Sequence, residues 1–301
     1  MKNKGYFLVF LTAVISGFSI FINKFSVSVI NPYIFTGLKN IIAAVFLSCL
    51  FIFLKDLKVF KTFKVKDWMR LVIIGLIGGS IPFLLFFKGL SLTSAAQGSF
   101  LHKTMFLYIA VFAAIFLKER ISKGFLIGAV FLLAGSALLL KILPYSFGRG
   151  DLFVLLAALL WAAENTLSKY ALKNLSGRMV AWGRMFFGSI FIIIFLAATH
   201  QAQLALSLNL GQMAWTLITS VLLFGYVITW YSGLKYIPVS KAACILLLGS
   251  PITTLLSIVF YGSPISLKGI LSIAFTIAGI VLIFCGQYLF KGIKRIIYAG
   301  S

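Results

Sequence analysis

The residues best suited to chemistry in this chain are a few ionisable side chains that interrupt long apolar stretches. Glu164 is the only carboxylate inside any such stretch. The other ionisable residues there are three cations and an imidazole: Lys39, Lys103, Arg184 and His102. Arginine can bind a carboxylate or phosphate through two parallel hydrogen bonds, whereas lysine acts as a compact charge. Because charges in an apolar environment are costly, these residues predict binding of a small polar molecule, and Glu164 is also a candidate proton carrier.

Glu164 belongs to a row of residues at helical spacing, and a second row lies about 145 residues earlier. The first row shares one helical face and contains Ala157, Trp161, Glu164 and Ser168. The second row contains Thr12, Ser16, Ser19 and Asn23. We expect both rows to face one central cavity. The alternative is that the hydroxyl groups bond to their own helix carbonyls or join neighbouring helices.

Aromatic residues are candidates for one wall of this cavity. Tyr226, Trp230 and Tyr231 share one segment and Trp161 lies on another, and together they suit a flat or methylated group. Trp and Tyr also mark headgroup belts, an alternative that fits Trp182 near a segment end.

Two pairs of ionisable residues leave alternatives open. His102 and Lys103 are adjacent and cannot share a helical face, so one of them points inward; His102 could titrate during function or simply be hydrogen bonded. Lys39 and Arg184 correspond under the 145-residue shift. Each either binds the anionic group of a ligand or extends to the membrane interface.

Composition excludes a soluble globular domain. Hydrophobic residues make up 61% of the 301 residues and charged residues 11%, with a mean hydropathy of +1.10. A membrane-spanning helix needs about 20 apolar residues. Ten segments qualify: 5–23, 33–54, 67–88, 92–117, 123–140, 151–170, 179–199, 211–233, 241–261 and 266–290.

The chain repeats itself. Under a shift of 144 residues, Gly89-Leu90 aligns with Gly233-Leu234 and Ala134-Gly135 with Ala278-Gly279. Each half carries five apolar segments, and because five is odd the second copy must be inverted in the membrane. We therefore expect an all-α integral membrane fold of ten transmembrane helices, arranged as two inverted five-helix repeats over 1–145 and 146–301. Inverted repeats form a binding site at mid-membrane that opens to either side in turn, which predicts a transporter.

Positive charge is distributed unevenly along the chain. The net charge is +22, and 19 of the 27 Lys and Arg residues lie on the side that carries both termini, against five on the opposite side. This bias predicts cytoplasmic termini and a multi-pass protein of the cell (inner) membrane, facing an anionic leaflet and not nucleic acid. The apolar run after Lys2 and Lys4 lacks a cleavage site, so we interpret it as a retained helix.

The chain resembles the EamA branch of the drug/metabolite transporter superfamily, with two EamA repeats. The first copy carries Gly89-Leu90, Thr93-Ser94-Ala95-Ala96 and Leu117-Lys118-Glu119-Arg120; the second carries Gly233-Leu234, Pro238-Val239-Ser240-Lys241-Ala242-Ala243 and Ser250-Pro251. The resemblance implies a ten-helix fold and export of metabolites such as amino acids. Two positions depart from the pattern: the second connector, Gly262-Ser263-Pro264, has no acid, and Leu107 stands where the other copy has Pro251.

Together these features favour a secondary transporter of a small polar metabolite that carries a negative group. Pro82 and Pro251 would bend helices as the cavity changes sides. An exchanger of an adenosyl or nucleotide-like compound, such as S-adenosylmethionine, is the alternative. A non-transporting scaffold or an intramembrane enzyme belongs to another class, but paired catalytic carboxylates, hydrolase motifs and nucleotide-binding loops are missing from the sequence. We expect no cofactor, no metal site and no catalytic residue.

Overall fold

The chain is helical wherever the structure describes it. The computed structural model describes residues 1–27, 30–93, 95–138, 147–261 and 266–299, and each regular element in these ranges is a helix. A helix satisfies its backbone hydrogen bonds internally, which lipid requires. The predicted all-α membrane fold is confirmed.

The helices of the first repeat begin near the amino terminus. Their bounds are α1 Lys2–Val27, α2 Pro32–Phe53, α3 Val65–Ile74, α4 Ile81–Leu90, α5 Ala95–Lys103, α6 Met105–Phe116 and α7 Lys123–Ala137. A short 3₁₀ helix, Asp56–Thr62, follows α2, and a π-helical segment, Gly75–Ser80, joins α3 to α4. α2 starts where Asn31 accepts the Tyr33 N–H at 2.9 Å, so a side chain caps its first turn.

The second repeat has a matching series of helices. Their bounds are α8 Arg149–Ala171, α9 Gly177–Ala198, α10 Leu210–Leu234, α11 Val239–Leu246, α12 Gly249–Tyr261 and α13 Leu267–Ala299. A second 3₁₀ helix, Ala202–Ser207, follows α9. Caps again define the starts, since the Asn209 side chain accepts the Gln212 N–H at 2.9 Å before α10.

The described residues contain ten apolar helical spans. Within the described ranges, nine are apolar and at least 20 residues long: Lys2–Asn23, Pro32–Phe53, Val65–Leu90, Gln97–Phe116, Arg149–Ala171, Gly177–Ala198, Leu210–Leu234, Val239–Phe260 and Leu267–Gly286. The remaining span, Lys123–Ala137, is apolar but has 15 described residues, and the end of the predicted segment 123–140 lies outside the described residues. The ten-span prediction is therefore confirmed, with one span short in its described part.

The fourth and ninth spans are broken. The sequence predicts a bend at Pro251 in the ninth span, over 241–261, but a fourth span without a proline break, over 92–117. The fourth breaks at Thr104, and the ninth breaks just before Gly249. The helices that follow, α6 and α12, start 144 residues apart, which equals the shift between the repeats. The break is therefore a property of both copies.

The two breaks have different local causes. In the ninth span, Pro251 has no N–H to donate to the Leu247 carbonyl four residues earlier. In the fourth span, the Thr104 hydroxyl donates to the Leu101 carbonyl at 2.6 Å, and threonine bonds of this kind bend helices. Leu107, the equivalent of Pro251, donates its N–H to the Thr104 carbonyl at 2.9 Å. The first copy is thus interrupted without a proline.

The packing of helices follows the repeat symmetry. α1 packs on α10, and α4 packs on α8. In both pairs, the first span of one repeat packs on the third span of the other. α2 packs on α9 and α7 packs on α13, so each of these helices meets its own equivalent. The repeats therefore share one interior, and with five spans each they are inverted relative to one another.

Candidate functional site

The carbonyl oxygen of Gly78 is an acceptor that the sequence leaves open. Pro82, four residues later, has no N–H to fill it, and π-helical turns often occur at functional sites. Two side chains of the second repeat donate to it instead: Trp161 through Nε1 at 3.0 Å and Arg184 through Nη2 at 3.1 Å. α8 and α9 are therefore joined to the third span at this atom.

Glu164 lies one turn beyond Trp161 on α8, and its side chain is fully buried. Its Oε1 accepts hydrogen bonds from the Ser168 hydroxyl at 2.5 Å and the Tyr231 hydroxyl at 2.7 Å. Its Oε2 has no hydrogen-bond partner among the described residues. A buried oxygen without a partner is costly, so this atom is suited to a ligand or a proton.

Arg184 reaches the same place from α9. A Cβ added to Gly78 would lie 2.8 Å from Glu164 Cδ and 3.3 Å from Arg184 Nε, so both charged groups lie beside this one glycine. The guanidinium lies 5.7 Å from the Phe83 ring centre and 5.9 Å from that of Tyr231, within range of cation–π attraction. Within the described ranges, Arg184 Nε has no hydrogen-bond partner. Arg184 is therefore a cation buried among the helices of the described residues.

We call Glu164, Arg184, Tyr231 and the Gly78 carbonyl the central site. The third span approaches α9 very closely beside it, since a Cβ on Gly188 would lie 2.7 Å from Gly79 Cα. Buried Asn40 of α2 donates its amide to the Gly79 carbonyl at 2.8 Å. The π-helical segment is thus bonded to three neighbouring helices, α2, α8 and α9.

Aromatic rings surround Trp161. Its ring centre lies 5.2 Å from Phe83, 5.4 Å from Phe86 and 5.2 Å from His102. His102 also lies 5.0 Å from Phe86. Of the adjacent residues His102 and Lys103, His102 is therefore the one that contacts the tryptophan beside the central site; Lys103 is half-buried.

A second aromatic pair lies on α10. Trp230 donates its Nε1 hydrogen to Asn165 Oδ1 at 2.8 Å, and Asn165 donates its amide to the Trp161 carbonyl at 2.7 Å. The Tyr226 ring stacks on Trp230, with centres 6.4 Å apart. Asn165 thus connects the tryptophans of α8 and α10.

The first residues of the predicted α1 row join helices of different repeats. Thr12 is fully buried, and its hydroxyl oxygen lies 2.8 Å from the Thr229 hydroxyl of α10. Ser16, one turn further, faces α12, since a Cβ on Gly249 would lie 3.4 Å from its hydroxyl oxygen. Both residues thus lie between helices of different repeats.

The remainder of that row connects to Lys39. Asn23 donates its amide to the Ser19 hydroxyl at 3.2 Å, and its Oδ1 accepts from Lys39 Nζ at 3.5 Å. Lys39 is buried, with its ammonium 5.4 Å from the Phe35 ring centre. Lys39 and Arg184 are therefore equivalent in sequence but have different partners: an asparagine of the same repeat and a backbone carbonyl of the other.

Two carboxylates outside the central site also join the repeats. Glu119, after α6, accepts from the Ser240 hydroxyl at 2.6 Å and from two N–H groups at the start of α11 at 2.8 and 3.2 Å. Asp151, in the first turn of α8, accepts from Thr93 at 2.7 Å and from Gln97 at 2.7 Å. We call these the Glu119 contact and the Asp151 contact.

Each contact holds the start of a broken span, α11 in the ninth and α5 in the fourth. The second repeat lacks the connector acid that Glu119 provides in the first, and its connector Gly262-Ser263-Pro264 lies outside the described residues. Asp151 supplies a carboxylate to the start of α5 from another element, α8. Both broken spans therefore begin at an anionic side chain of the other repeat, where helix amino termini favour negative charge.

Comparison with known proteins identifies the family to which this arrangement belongs. The sequence profile of the EamA-like transporter family matches residues 3–141 and, separately, residues 148–285. The chain belongs to the EamA-like transporter family. It is therefore a multi-pass membrane transporter built from two EamA repeats.

Relatives of this EamA-like transporter are similar over nearly their whole length. The "uncharacterized transporter YyaM" of Bacillus subtilis (strain 168) is 25% identical over 312 residues, covering 98% of this chain and 96% of that protein. An uncharacterized transporter of Archaeoglobus fulgidus is 25% identical over 288 residues, covering 95% and 98%. One solved crystal structure aligns with a TM-score of 0.78 and 17% identity over 94% of this chain and 96% of that chain, which supports the fold.

Sequence reasoning singled out Glu164, Arg184 and Trp161, which the structure brings together. It missed Asn40 and Asn165, whose amides bond within the same interior. A signal for both was available, because an amide in the middle of an apolar segment needs a partner in the protein.

The two prolines predicted to bend helices lie near the starts of helices. Pro82 is the second residue of α4, which follows the π-helical segment, and Pro251 is the third residue of α12.

Proposed function

We propose that this EamA-like transporter exports a small polar metabolite with a negative group, such as an amino acid or organic acid, by alternating access. The observation that carries the proposal is the pair of atoms without partners in the described central site, Glu164 Oε2 and Arg184 Nε. Buried polar atoms in native proteins are normally hydrogen bonded. Polar groups of a substrate would satisfy both atoms at the boundary between the repeats.

The charge of the surroundings favours an anionic group on the substrate. Three cations, Arg184, Lys39 and Lys103, lie within spanning segments, whereas Glu164 is the one carboxylate there that lies away from the ends of a described span. At low dielectric such an excess of cations attracts anions strongly and repels purely cationic compounds. Arg184 has the geometry to bind a carboxylate or phosphate through two hydrogen bonds.

Alternating access is supported by the two contacts at the starts of the broken spans. The Glu119 contact and the Asp151 contact each join one repeat to the other, and the charge distribution assigns them to opposite membrane faces. We infer that opening to one face requires loss of the contact on that face. The breaks before α6 and α12 would let the half of each span that begins at its contact, α5 or α11, move while the other half stays packed.

The charge distribution also supports the proposed location. We infer that both termini are cytoplasmic and that the protein resides in the cell (inner) membrane, with repeat boundaries at 1–145 and 146–301. The bilayer and a small-molecule substrate are the partners in this proposal. A coupling proton would use Glu164 Oε2, the carboxylate oxygen without a partner in the described site.

A second candidate, exchange of an adenosyl or nucleotide-like compound, is favoured by the rings around Trp161. Phe83, Phe86 and His102 lie within 5.4 Å of it, beside the guanidinium of Arg184. A flat base could stack in such surroundings. The variant Trp161→Leu distinguishes the two candidates. It should weaken the binding of adenosyl compounds more than that of aliphatic ones, measured as the ability of each compound to compete with substrate flux.

The proposal is tested first by thermal-shift screening of the purified protein against metabolites, since a ligand that binds the folded form raises its melting temperature. Compounds that stabilise the protein are then measured for flux in proteoliposomes. Arg184→Gln should weaken binding of anionic compounds about ten- to a hundred-fold, the value of a charged hydrogen bond. Arg149→Gln removes the same charge at an exposed position and should leave binding unchanged. Equal affinity in both variants would show that the anion binds elsewhere.

A further inference from the structure

The connector between α2 and α3 carries an ordered set of exposed cations. Five lysines within 12 residues are exposed: Lys55, Lys58, Lys61, Lys64 and Lys66. Most of the connector is the 3₁₀ helix Asp56–Thr62, in which side chains three residues apart lie one above the other. Lys58 and Lys61 have this spacing within the helix, and Lys55 directly precedes its first residue, with a left-handed backbone (φ 55°). We call these three lysines the lysine row.

The inner side of the connector is packed against the helices by aromatic rings. The Phe60 ring centre lies 4.8 Å from Trp182, 5.1 Å from Phe51 and 6.0 Å from Trp68. Phe63 lies 5.2 Å from Trp68. Trp182 is therefore part of this buried cluster, and the lysine row is presented by a packed surface.

Exposed apolar side chains flank the lysine row on both sides. Phe53 is 83% exposed at the end of α2, and Val65 is 74% exposed at the start of α3. Ile52 and Met69 are exposed as well. In a membrane protein, exposed apolar residues at the ends of spans contact acyl chains. The lysine row therefore lies at the depth of the lipid headgroups.

The acidic residue after the connector does not compensate these lysines. The Asp67 carboxylate accepts from Arg70 at 3.2 Å and from the Lys64 N–H at 3.2 Å, so it is already engaged. Its two partners are a neighbouring arginine and the first turn of α3. Among the described side chains, no carboxylate forms an ion pair with the ammonium groups of the lysine row.

We propose that the lysine row binds the phosphate groups of acidic phospholipids. Lysines near a membrane surface are attracted to anionic lipids, and three in one row add their attractions. A soluble phosphate would satisfy the ammonium groups alone. A lipid would also place its acyl chains against the exposed Phe53 and Val65, which favours the lipid. This surface is separate from the central site, and it binds lipid whether or not the transport proposal holds.

The test uses the purified full-length chain in neutral detergent. Dioctanoyl-phosphatidylglycerol, dioctanoyl-phosphatidylcholine and inorganic phosphate are titrated separately, with melting temperature and native mass spectrometry as readouts. We expect only the phosphatidylglycerol to stabilise the protein and remain bound, with weaker binding at high salt. The variant Lys55→Gln/Lys58→Gln/Lys61→Gln should bind it on the order of a hundred-fold more weakly.

The control variant is Lys2→Gln/Lys4→Gln/Lys123→Gln, which removes three exposed lysines elsewhere and gives the same net charge. It should bind phosphatidylglycerol as the unmodified protein does. Equal weakening in both variants would assign the effect to overall charge, and no weakening in either would remove the row from the interaction. Equal stabilisation by inorganic phosphate would indicate a soluble-anion site. Each of these three results overturns the proposal.

Discussion

Arg184 donates a hydrogen bond of 3.1 Å to the carbonyl oxygen of Gly78, and this bond joins the second repeat to the first. The acceptor is open because Pro82 has no N–H to occupy it. Pro82 of α4 thus determines where the side chain of Arg184, on α9, is held. This relationship leads to the first prediction.

Replacing Pro82 by Ala should increase stability and reduce transport. The alanine N–H can bond the Gly78 carbonyl in a regular helix, and because Pro82 lies in the first turn of α4, the gain should be below the value of about 3 kcal/mol for a proline in a helix interior. The same bond would compete with Arg184 and Trp161 for their acceptor. Melting temperature and flux measured on one preparation check this expectation. A higher melting temperature with undiminished flux would mean that the open carbonyl has no role in transport.

Adding a methyl group at Gly78 should disrupt the central site. In Gly78→Ala the new Cβ would meet Glu164 Cγ at less than contact distance and lie 2.8 Å from Glu164 Cδ. Overpacking of this kind costs about 1–3 kcal/mol. Gly211→Ala is the matched control, because its Cβ would meet only the Asn209 side chain at 3.4 Å. The melting temperature should fall for Gly78→Ala and stay unchanged for Gly211→Ala. Equal melting temperatures for the two variants would contradict close packing at Gly78.

Glu164→Gln should separate proton coupling from substrate binding. The amide keeps an acceptor for Ser168 and Tyr231 but cannot release a proton. If Glu164 carries the coupling proton, flux in proteoliposomes should lose its response to a pH gradient while exchange at equal pH persists. A response equal to that of the unmodified protein would exclude Glu164 as the proton carrier.

The Glu119 and Asp151 contacts should have opposite effects on access to the interior. Glu119→Gln weakens bonds to the start of α11, and Asp151→Asn weakens bonds to the start of α5; each charged hydrogen bond contributes about 1.5–3 kcal/mol. A cysteine introduced at Ser168, in a background without native cysteines, reports access by its rate of alkylation. We expect faster labelling from the cytoplasm in Glu119→Gln and from outside in Asp151→Asn. Faster labelling of both variants from the same side would contradict the proposed alternation.

Most of the fold could be predicted from the sequence because hydropathy and internal repetition act over long stretches. Ten apolar segments and a shift of 144 residues are enough for the topology, whereas the helix pairs come from the structure. The break at Thr104 could not be predicted, since it depends on one hydroxyl bonding to Leu101 and not on a proline. The π-helical segment Gly75–Ser80 could not be predicted either, because glycines at this spacing are typical of any close contact between helices.

The central site was partly predictable for a related reason. Burial cost singles out Glu164 and Arg184 in any apolar segment, and helical spacing adds Trp161. The partners depend on tertiary structure. Repeat symmetry suggested matching roles for Lys39 and Arg184, but symmetric backbones carry different side chains around these positions, so one bonds Asn23 and the other a backbone carbonyl.

The bond between Arg184 and Gly78 bears on biogenesis. Until the third span of the amino-terminal half is in place, the guanidinium on α9 lacks its carbonyl acceptor and would meet hydrocarbon. The order of synthesis provides that acceptor first, because Gly78 is translated before Arg184. A carboxy-terminal half expressed alone should therefore insert poorly, and supplying the other half in trans should restore it.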